Sequence, residues 1–531
     1  MTEFARSAGL AGPDAEARLR RRYAAERRFR FYGQAAIGAA ILFLVFLIGS
    51  IVTQALPAFT QHKVAFDLQL DRAVVAPSGR AAPEDIRENV AGFYRLVRED
   101  LVERFPEGAG DASDRVELYS LATRLAVLPV AHDVARDPSM IGQTRRFWIA
   151  LSDDLDLYLK GLVTRENVMT LGPVITVEVG RGDDSVVLTV AEAAAERIRA
   201  NAPWSEPDRF LDGDPTVLIQ AGDVVLKALE LDGPEVKAEV LTGDLAAPNA
   251  LASSPLTVRT IQTPETDRNV TDRQIAWTLA LKSDGRIERR LNTALTSNAD
   301  STYPEIAGVF AALVGSLFTM LITASLAVPI GIMAAVYLEE FAPKTRMTDV
   351  IEVSINNLAA VPSIVYGLLG AAVFLNFFGL PRSAPFVGGL VLALMTLPTV
   401  IIAARAALKA VPPSIRDAAL GVGASKTQAV FHHALPLAAP GIMTGAIIGL
   451  ARALGETAPL LLIGMVAFVA EAPSGPTDEA TVLPVLIYKW STGAERAWEP
   501  ATAAAIIILL IFMVFMNAVA VLLRRRFERR W

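Results

Sequence analysis

Apolar residues in this chain are gathered into six long runs, and one polar stretch between them is almost half the chain. The first run, Gly33 to Val52, is near 20 residues, enough to cross a hydrocarbon core of about 30 Å as a helix. It is bounded as transmembrane helix 1 at 33–53, and five further spans are predicted at 305–337, 351–378, 386–408, 437–469 and 501–523. A cleaved signal peptide has a shorter apolar core, and the TQALPA segment shows no cleavage pattern, so the first run reads as a permanent anchor. Residues 1–32 carry eight Arg and read as a basic cytoplasmic N-terminus. Six crossings return the chain to the same side, where residues 524–531, RRRFERRW, form a basic tail. The loops near 339–349 and 405–435 carry Lys344, Arg346, Arg405, Lys409, Arg416 and Lys426 and also fall inside. The loop at 471–500 carries Glu471, Asp478, Glu479, Glu495 and Glu499 and falls outside.

The long polar stretch, 57–303, is placed outside as a soluble domain between the first two spans, with a membrane core of helices 2–6 over 305–523. In EDIRENVAGFYRLVREDLVERF, Ile86, Val90, Phe93, Leu96, Val97 and Leu101 recur at helical spacing. TVEVGRGDDSVVLTV reads as two strands around a Gly-Asp-Asp turn, and QIAWTLALKSDGRIERRLN as another strand pair around Asp284-Gly285. A further helix is expected near 191–202. The result is an α+β domain large enough for its own core.

Charge sharpens the division. Residues 57–303 hold 27 basic and 39 acidic side chains and the remainder 23 and 17, so a net −6 separates into an acidic insert near −12 and a basic membrane part near +6. Cysteine is absent and there are four His, which excludes a disulfide framework and a Cys-based metal site. The acidic groups Asp153, Asp154, Asp156, Asp212 and Asp214 do not follow a calcium-loop pattern and read as solvated surface. No nucleophile triad, HExxH or paired-acid motif stands out.

The segment between spans four and five is more polar than a connector requires. Ser425-x-x-Gln428 is a capping box, and Ser414-x-x-Asp417 a weaker form of one. Gly421 and Gly423 fall where a chain leaving one short helix needs positive φ, and Pro436 is expected to stop the second helix at the membrane. His432 and His433 are expected on its surface. In span five, Arg452 and Glu456 stand four apart, one helical turn. A charge inside the bilayer normally faces a partner or a polar pathway, and the guanidinium fork suits a tetrahedral anion. Two readings stay open: Arg452 meets an anion in transit with Glu456 holding or releasing it, or the two form a structural ion pair. Thr457 is grouped with them on the path. Asn356 and Asn357 in span three read as glue between helices or lining of the path, and Pro362-Ser363 is expected to kink that span. GVGASK at 421–426 lacks the spacing of a Walker A loop, so this chain is expected not to hydrolyse ATP.

Asp417-Ala418-Ala419, then Gly423, then Leu435-Pro436, resembles the EAA loop of ABC importer permeases. Two departures exist: Asp417 stands where Glu is usual and His433 where an aliphatic residue is usual. AVPSIVYGLLG and GIMTGAIIGLARALGETAPLLL narrow the resemblance to PstA-type permease subunits of phosphate-specific ABC importers, across 305–525 and the first span. The large insert lies outside the minimal permease pattern.

The resemblance implies a membrane all-α, six-helix ABC importer permease (type I) with an α+β extracytoplasmic domain inserted between helices 1 and 2, in a bacterial inner membrane with both termini cytoplasmic. It implies an ATPase-coupling loop containing Arg416, Asp417, Ala418, Ala419, Gly423, Ser425, Leu435 and Pro436. The implied partners are a second homologous permease subunit completing a heterodimer, an ATPase dimer, a periplasmic phosphate-binding protein and membrane lipid, with no nucleic acid. No cofactor is expected on this chain, since the partner hydrolyses ATP. Sulfate or molybdate are alternative cargoes, and a membrane-anchored receptor or scaffold is the alternative class.

Overall fold

A computed structural model describes residues 13–77, 82–171, 176–179, 185–201, 213–243, 256–466 and 468–527. Helix α1, Pro13–Ala55, runs unbroken from the Arg-rich segment through the first apolar run. Its apolar stretch is wholly exposed on the single chain, with Ile51 and Ala55 reaching the permease core at its end.

The insert holds two antiparallel sheets. A three-stranded sheet has the order β10-β1-β2 (Ile287–Leu291, Thr60–Gln69, Thr144–Ala150). A seven-stranded sheet has the order β3-β9-β6-β7-β8-β5-β4. Its strands are β3 Glu166–Leu171, β4 Thr176–Val179, β5 Ser185–Thr189, β6 Thr216–Ala221, β7 Val224–Asp232, β8 Glu235–Thr242 and β9 Leu256–Ile261. Side chains alternate across a strand, so Val217 and Ile219 of β6 enter one core with Leu188, Ile198 and Val258, while Leu218 enters a second. That second core joins Val64, Phe66 and Leu68 of β1 to Phe93, Leu96, Val97 and Leu101 of α2, Val90–Arg104. Α single helix over the 84–105 segment was the expectation. The chain instead breaks at Asn89, whose side chain caps α2 by accepting from Gly92 N at 3.0 Å. The β4–β5 pair forms as expected, and the Gly-Asp-Asp residues between its strands lie outside the described residues, as does Asp212. The expected helix near 191–202 occupies Glu192–Asn201.

The strand pair predicted around Asp284-Gly285 is half wrong. Its first member is helix, and α3 (Asp153–Leu159) and α4 (Asp272–Ser283) both pack in this region. Thr271 and Gln274 close a capping box on α4, which satisfies two free amides at its start. Trp277 on α4 is completely buried, 6.1 Å from the Phe105 ring. Gly285 has φ +68° and turns the chain into β10.

Among the described residues five helices are long and apolar enough to cross a membrane, or six if one bent pair counts as a span. After α1 comes α5, Phe310–Val336, which widens into a π turn over Tyr337–Phe341. It begins five residues later than the predicted span, and residues 304–306 form a short turn at the insert's exit. The predicted third span is a bent pair, α6 (Arg346–Ala359) and α7 (Ser363–Gly370, extended by a π turn to Phe377), related by 100°. The break falls where Pro362 withdraws a donor and disfavours helix at Val361, and Tyr366 donates to the Leu358 carbonyl at 2.8 Å. Next, α8 (Pro385–Lys409) is followed by α9 (Pro413–Gly421), α10 (Lys426–Ala429) and α11 (Leu435–Leu454). The fifth span ends at Leu454, well short of 469, and α12 (Ala458–Leu462) follows the break. Helices α13 (Leu483–Ser491) and α14 (Trp498–Phe527) complete the chain. Small residues let α8 and α11 approach closely: a Cβ on Gly445 would fall 2.1 Å from the Ala403 Cβ. The architecture is thus a membrane all-α core with an α+β insert between its first two spans.

Candidate functional site

The polar segment after α8 is two short helices and a turn. Helix α9 starts after Pro412, and Ser414 does not cap it; proline at its first position needs no amide partner there. Gly423, at φ +93°, makes the turn in open space, whereas Gly421 is ordinary helix end. The Ser425 capping box closes in both directions: Ser425 N donates to Gln428 Oε1 at 2.8 Å and Gln428 N to Ser425 Oγ at 3.2 Å. Pro436 does not stop the helix. A π turn over Val430–Ala434 carries α10 into α11, with Leu435 N donating to Val430 O. Pro436 then sits in the first turn of α11, where its missing donor costs nothing.

Within this segment Ala419 is buried, while Asp417, Ala418, Gly423, Ser425, His432 and His433 are exposed. So are the apolar Leu420, Phe431 and Val422, the last 87% exposed. Arg416 faces the other way. Its Nε donates to both carboxylate oxygens of Glu340 at 3.0 Å, Nη2 joins the same carboxylate and also the Leu408 carbonyl at 3.0 Å, and Nη1 reaches Val411 O at 2.8 Å. The segment is anchored from behind and presents an apolar and polar surface in front.

The second set of predicted residues does not share a helix. Arg452 is in the last turn of α11, where a cation complements the free carbonyls, and Glu456 lies beyond the break at Gly455. They still meet, Nε to Oε1 at 3.5 Å, with side chains 57% and 21% exposed. Thr457 begins α12 without a side-chain cap. Helix α12 packs on α7: a Cβ on Gly367 would fall 2.7 Å from the Pro459 Cα. The two interrupted spans therefore touch through α7 and α12. Asn356 and Asn357 are exposed on α6 rather than buried between helices of this chain.

A third cluster sits where the insert joins the core. A cavity of about 40 Å³ is lined by Gln61, Asp153, Asp156, Lys160, Asn292 and Glu305, with the start of α14 on one side. Asp156 accepts from His62 N and contacts His62 Nδ1, both at 2.8 Å, and pairs with Lys160 at 2.5 Å. Lys160 also donates to the carbonyls of Pro57 and Thr60 at 2.8 and 2.6 Å. Glu305 is 5% exposed and neither carboxylate oxygen meets a hydrogen-bond partner. Burial, with Asp153 and Glu495 nearby, pushes its pKa up to about 7. Burial and Asp154 likewise push Asp153 up to about 6. Asp156 and Asp214 are buried and Asp153 is half-buried, against their reading as solvated surface. Among the described residues no group of His, Asp and Glu is arranged to hold a metal ion.

Sequence reasoning missed Glu305, the carboxylates Glu339 and Glu340, and Asp300, which pairs with Lys489 and accepts from Trp490 Nε1 at 3.1 Å. The signal for Glu339-Glu340 was present, two adjacent acids closing an apolar run.

Residues 327–530 match the family described as binding-protein-dependent transport system inner membrane component. Residues 16–168 match a domain of unknown function, DUF3333. The chain is 35% identical over 227 residues to phosphate transport system permease protein PstA 1 of Mycobacterium tuberculosis, covering 42% of this chain and 72% of the relative. It is 35% identical over 213 residues to the PstA protein of Mycobacterium leprae, covering 40% and 68%. To the probable ABC transporter permease protein YqgH of Bacillus subtilis it is 28% identical over 243 residues, covering 44% and 77%. A solved structure of the MetNI methionine ABC transporter, inward facing, aligns with a TM-score of 0.34 at 18% identity, covering 42% of this chain and 98% of that one. With its spans and the two PstA relatives, each matched at 35% identity over more than two thirds of its own length, the chain belongs to the PstA-type permeases among the binding-protein-dependent transport system inner membrane components, as a multi-pass ABC permease subunit.

Proposed function

We propose that this chain is the permease subunit of an ATP-driven phosphate importer, forming half of a translocation path. The single observation that carries the coupling part is the segment 413–435, pinned by Arg416 at its back and exposing Leu420, Val422 and Phe431 at its front. Apolar side chains held out by a capped, glycine-turned scaffold are what a protein groove takes up. The occupant is an ATPase subunit, one of two, and the nucleotide is hydrolysed there; this chain binds no cofactor of its own. In this reading the segment faces the cytoplasm with both termini, and the insert faces the periplasm, where a phosphate-binding protein delivers cargo. The exposed apolar stretch of α1 faces lipid, and a homologous second permease completes the path.

Phosphate as cargo is supported by the relatives' names and by Arg452, an exposed guanidinium at the break between α11 and α12. Interrupted membrane helices place such groups beside a site at membrane depth. Glu456 and Thr457 flank it on the same break. The test is ATP-dependent uptake of labelled phosphate by vesicles holding this chain and its co-expressed partners. Arg452→Ala is expected to abolish uptake with the complex still assembled, and Gly423→Asp to lose both uptake and ATPase association. An assembled wild-type complex that carries sulfate or molybdate but no phosphate refutes the cargo. An exported domain that binds ligand in a chain supporting no transport of any oxyanion refutes the permease role.

A further inference from the structure

The two carboxylates at the end of α5 gather every element that surrounds the polar segment. Glu340, whose side chain is 7% exposed, takes the Arg416 guanidinium of α9 in a two-pronged pair. The same guanidinium reaches the Leu408 and Val411 carbonyls at the end of α8. Glu339 beside it meets Arg405 at 3.5 Å and Lys409 at 3.7 Å, both on α8. Arg405 passes on to Glu352 of α6 at 2.9 Å, and Lys426 of α10 lies 5.4 Å above the Phe341 ring. All of these partners meet at one π turn, Tyr337–Phe341. A π turn widens a helix and recurs at functional sites.

We propose that Glu340 is a positioning residue for transport: its pair with Arg416 transmits displacement of the polar segment into α5 and, through Glu339, into α6 and α8. This rests on the reading that the segment docks on an ATPase. The physical argument is one of stiffness. A planar fork holding one carboxylate by two nitrogens resists both sliding and rotation, and its two bonds to the Leu408 and Val411 carbonyls tie the end of α8 to the same point. Remove the Glu340 charge and α9 still has its helix, its proline start and its outer face, but its link to α5 is gone. Docking and transmission are thus separable at this residue.

The experiment uses the full complex in vesicles, with ATPase capture, ATP hydrolysis and phosphate uptake measured on the same preparation. Glu340→Gln is expected to capture the ATPase and hydrolyse ATP as the wild type does, while phosphate carried per ATP falls about tenfold, within the usual range of a coupling term. The exchange Glu340→Arg with Arg416→Glu, which restores the pair with its ends reversed, is expected to recover most of that ratio. A ratio in Glu340→Gln within about twofold of wild type overturns the proposal, since a pair that only braces the fold leaves coupling intact. Loss of ATPase capture in Glu340→Gln overturns it too, because the residue then serves docking itself. If Glu340→Gln does not assemble, the exchange variant decides: assembled and coupled supports the proposal, assembled and uncoupled overturns it. A wild-type chain that captures no ATPase fails at an earlier step and removes the docking reading, and the proposal with it.

Discussion

Glu305 makes the joint between insert and core sensitive to pH, and the sign follows from its surroundings. Its carboxyl is buried without a hydrogen-bond partner, and its pKa rises from 4.5 to about 7. A raised carboxyl pKa means the folded chain holds a proton that the unfolded chain has released between those values. Stability is then greatest below about pH 4.5 and is lost as pH rises through about 7, by about 3 kcal/mol. The groups around it are Thr123, whose hydroxyl works against the rise, Asp153 on α3 and Glu495 in the outer loop, with Asp156 and Lys160 lining the same cavity, and Asp153 adds a smaller loss of the same sign as it ionises near 6. Glu305→Gln keeps the shape and removes the charge. Amide hydrogen exchange across residues 56–61 and 292–305 reads local opening of this joint. Near pH 8 the variant is expected to be protected up to about 100-fold more than wild type, and near pH 5 equally. Identical pH dependence in the two proteins, or weaker protection of the variant at high pH, refutes the burial argument.

Two further outcomes can be measured directly. Ser425→Ala removes one half of the capping box and is expected to destabilise α10 by about 1 kcal/mol, seen as faster limited proteolysis between 421 and 430 and weaker ATPase capture, with the insert unaffected. Trp277→Ala empties a completely buried site beside Phe105 and is expected to cost the insert about 3–5 kcal/mol, read as a lowered insert unfolding temperature with the membrane core unchanged.

What the sequence revealed was what is local or long. The Ser425-x-x-Gln428 box closes as expected because both of its bonds span three residues. The six apolar runs are legible because a membrane imposes their length. Two kinds of feature were hidden. In 271–283 the run Ile275, Trp277, Leu279, Leu281 alternates like a strand, but Ala276, Thr278 and Ala280 between them are buried as well. A helix buried on nearly every side has no polar face to display its period; the Thr271-x-x-Gln274 box was the available signal. The other kind is pairing at a distance. Arg416 and Glu340 are 76 residues apart, so the sequence shows two charges and not their contact. The 100° bend after Ala359 lies between, with Pro362 marking its place and nothing in the sequence fixing its angle.

The chain's two notable arginines argue for different work by the same chemistry. Guanidinium offers five N–H donors in a rigid plane. At Arg416 all three nitrogens are engaged, by one carboxylate and two carbonyls, and the side chain is 21% exposed. With four of its five N–H donors committed, such a group is built to hold. Arg452 meets Glu456 through Nε at 3.5 Å, is 57% exposed, and stands where α11 ends rather than within it. Its remaining donors are uncommitted among the described residues, and its partner is close enough to compete with a passing anion without outlasting it. A purely structural pair would be drawn in and shielded, as Arg416 and Glu340 are. The looser geometry at 452 therefore favours the path reading over the brace reading, and it does so by contrast within the same molecule.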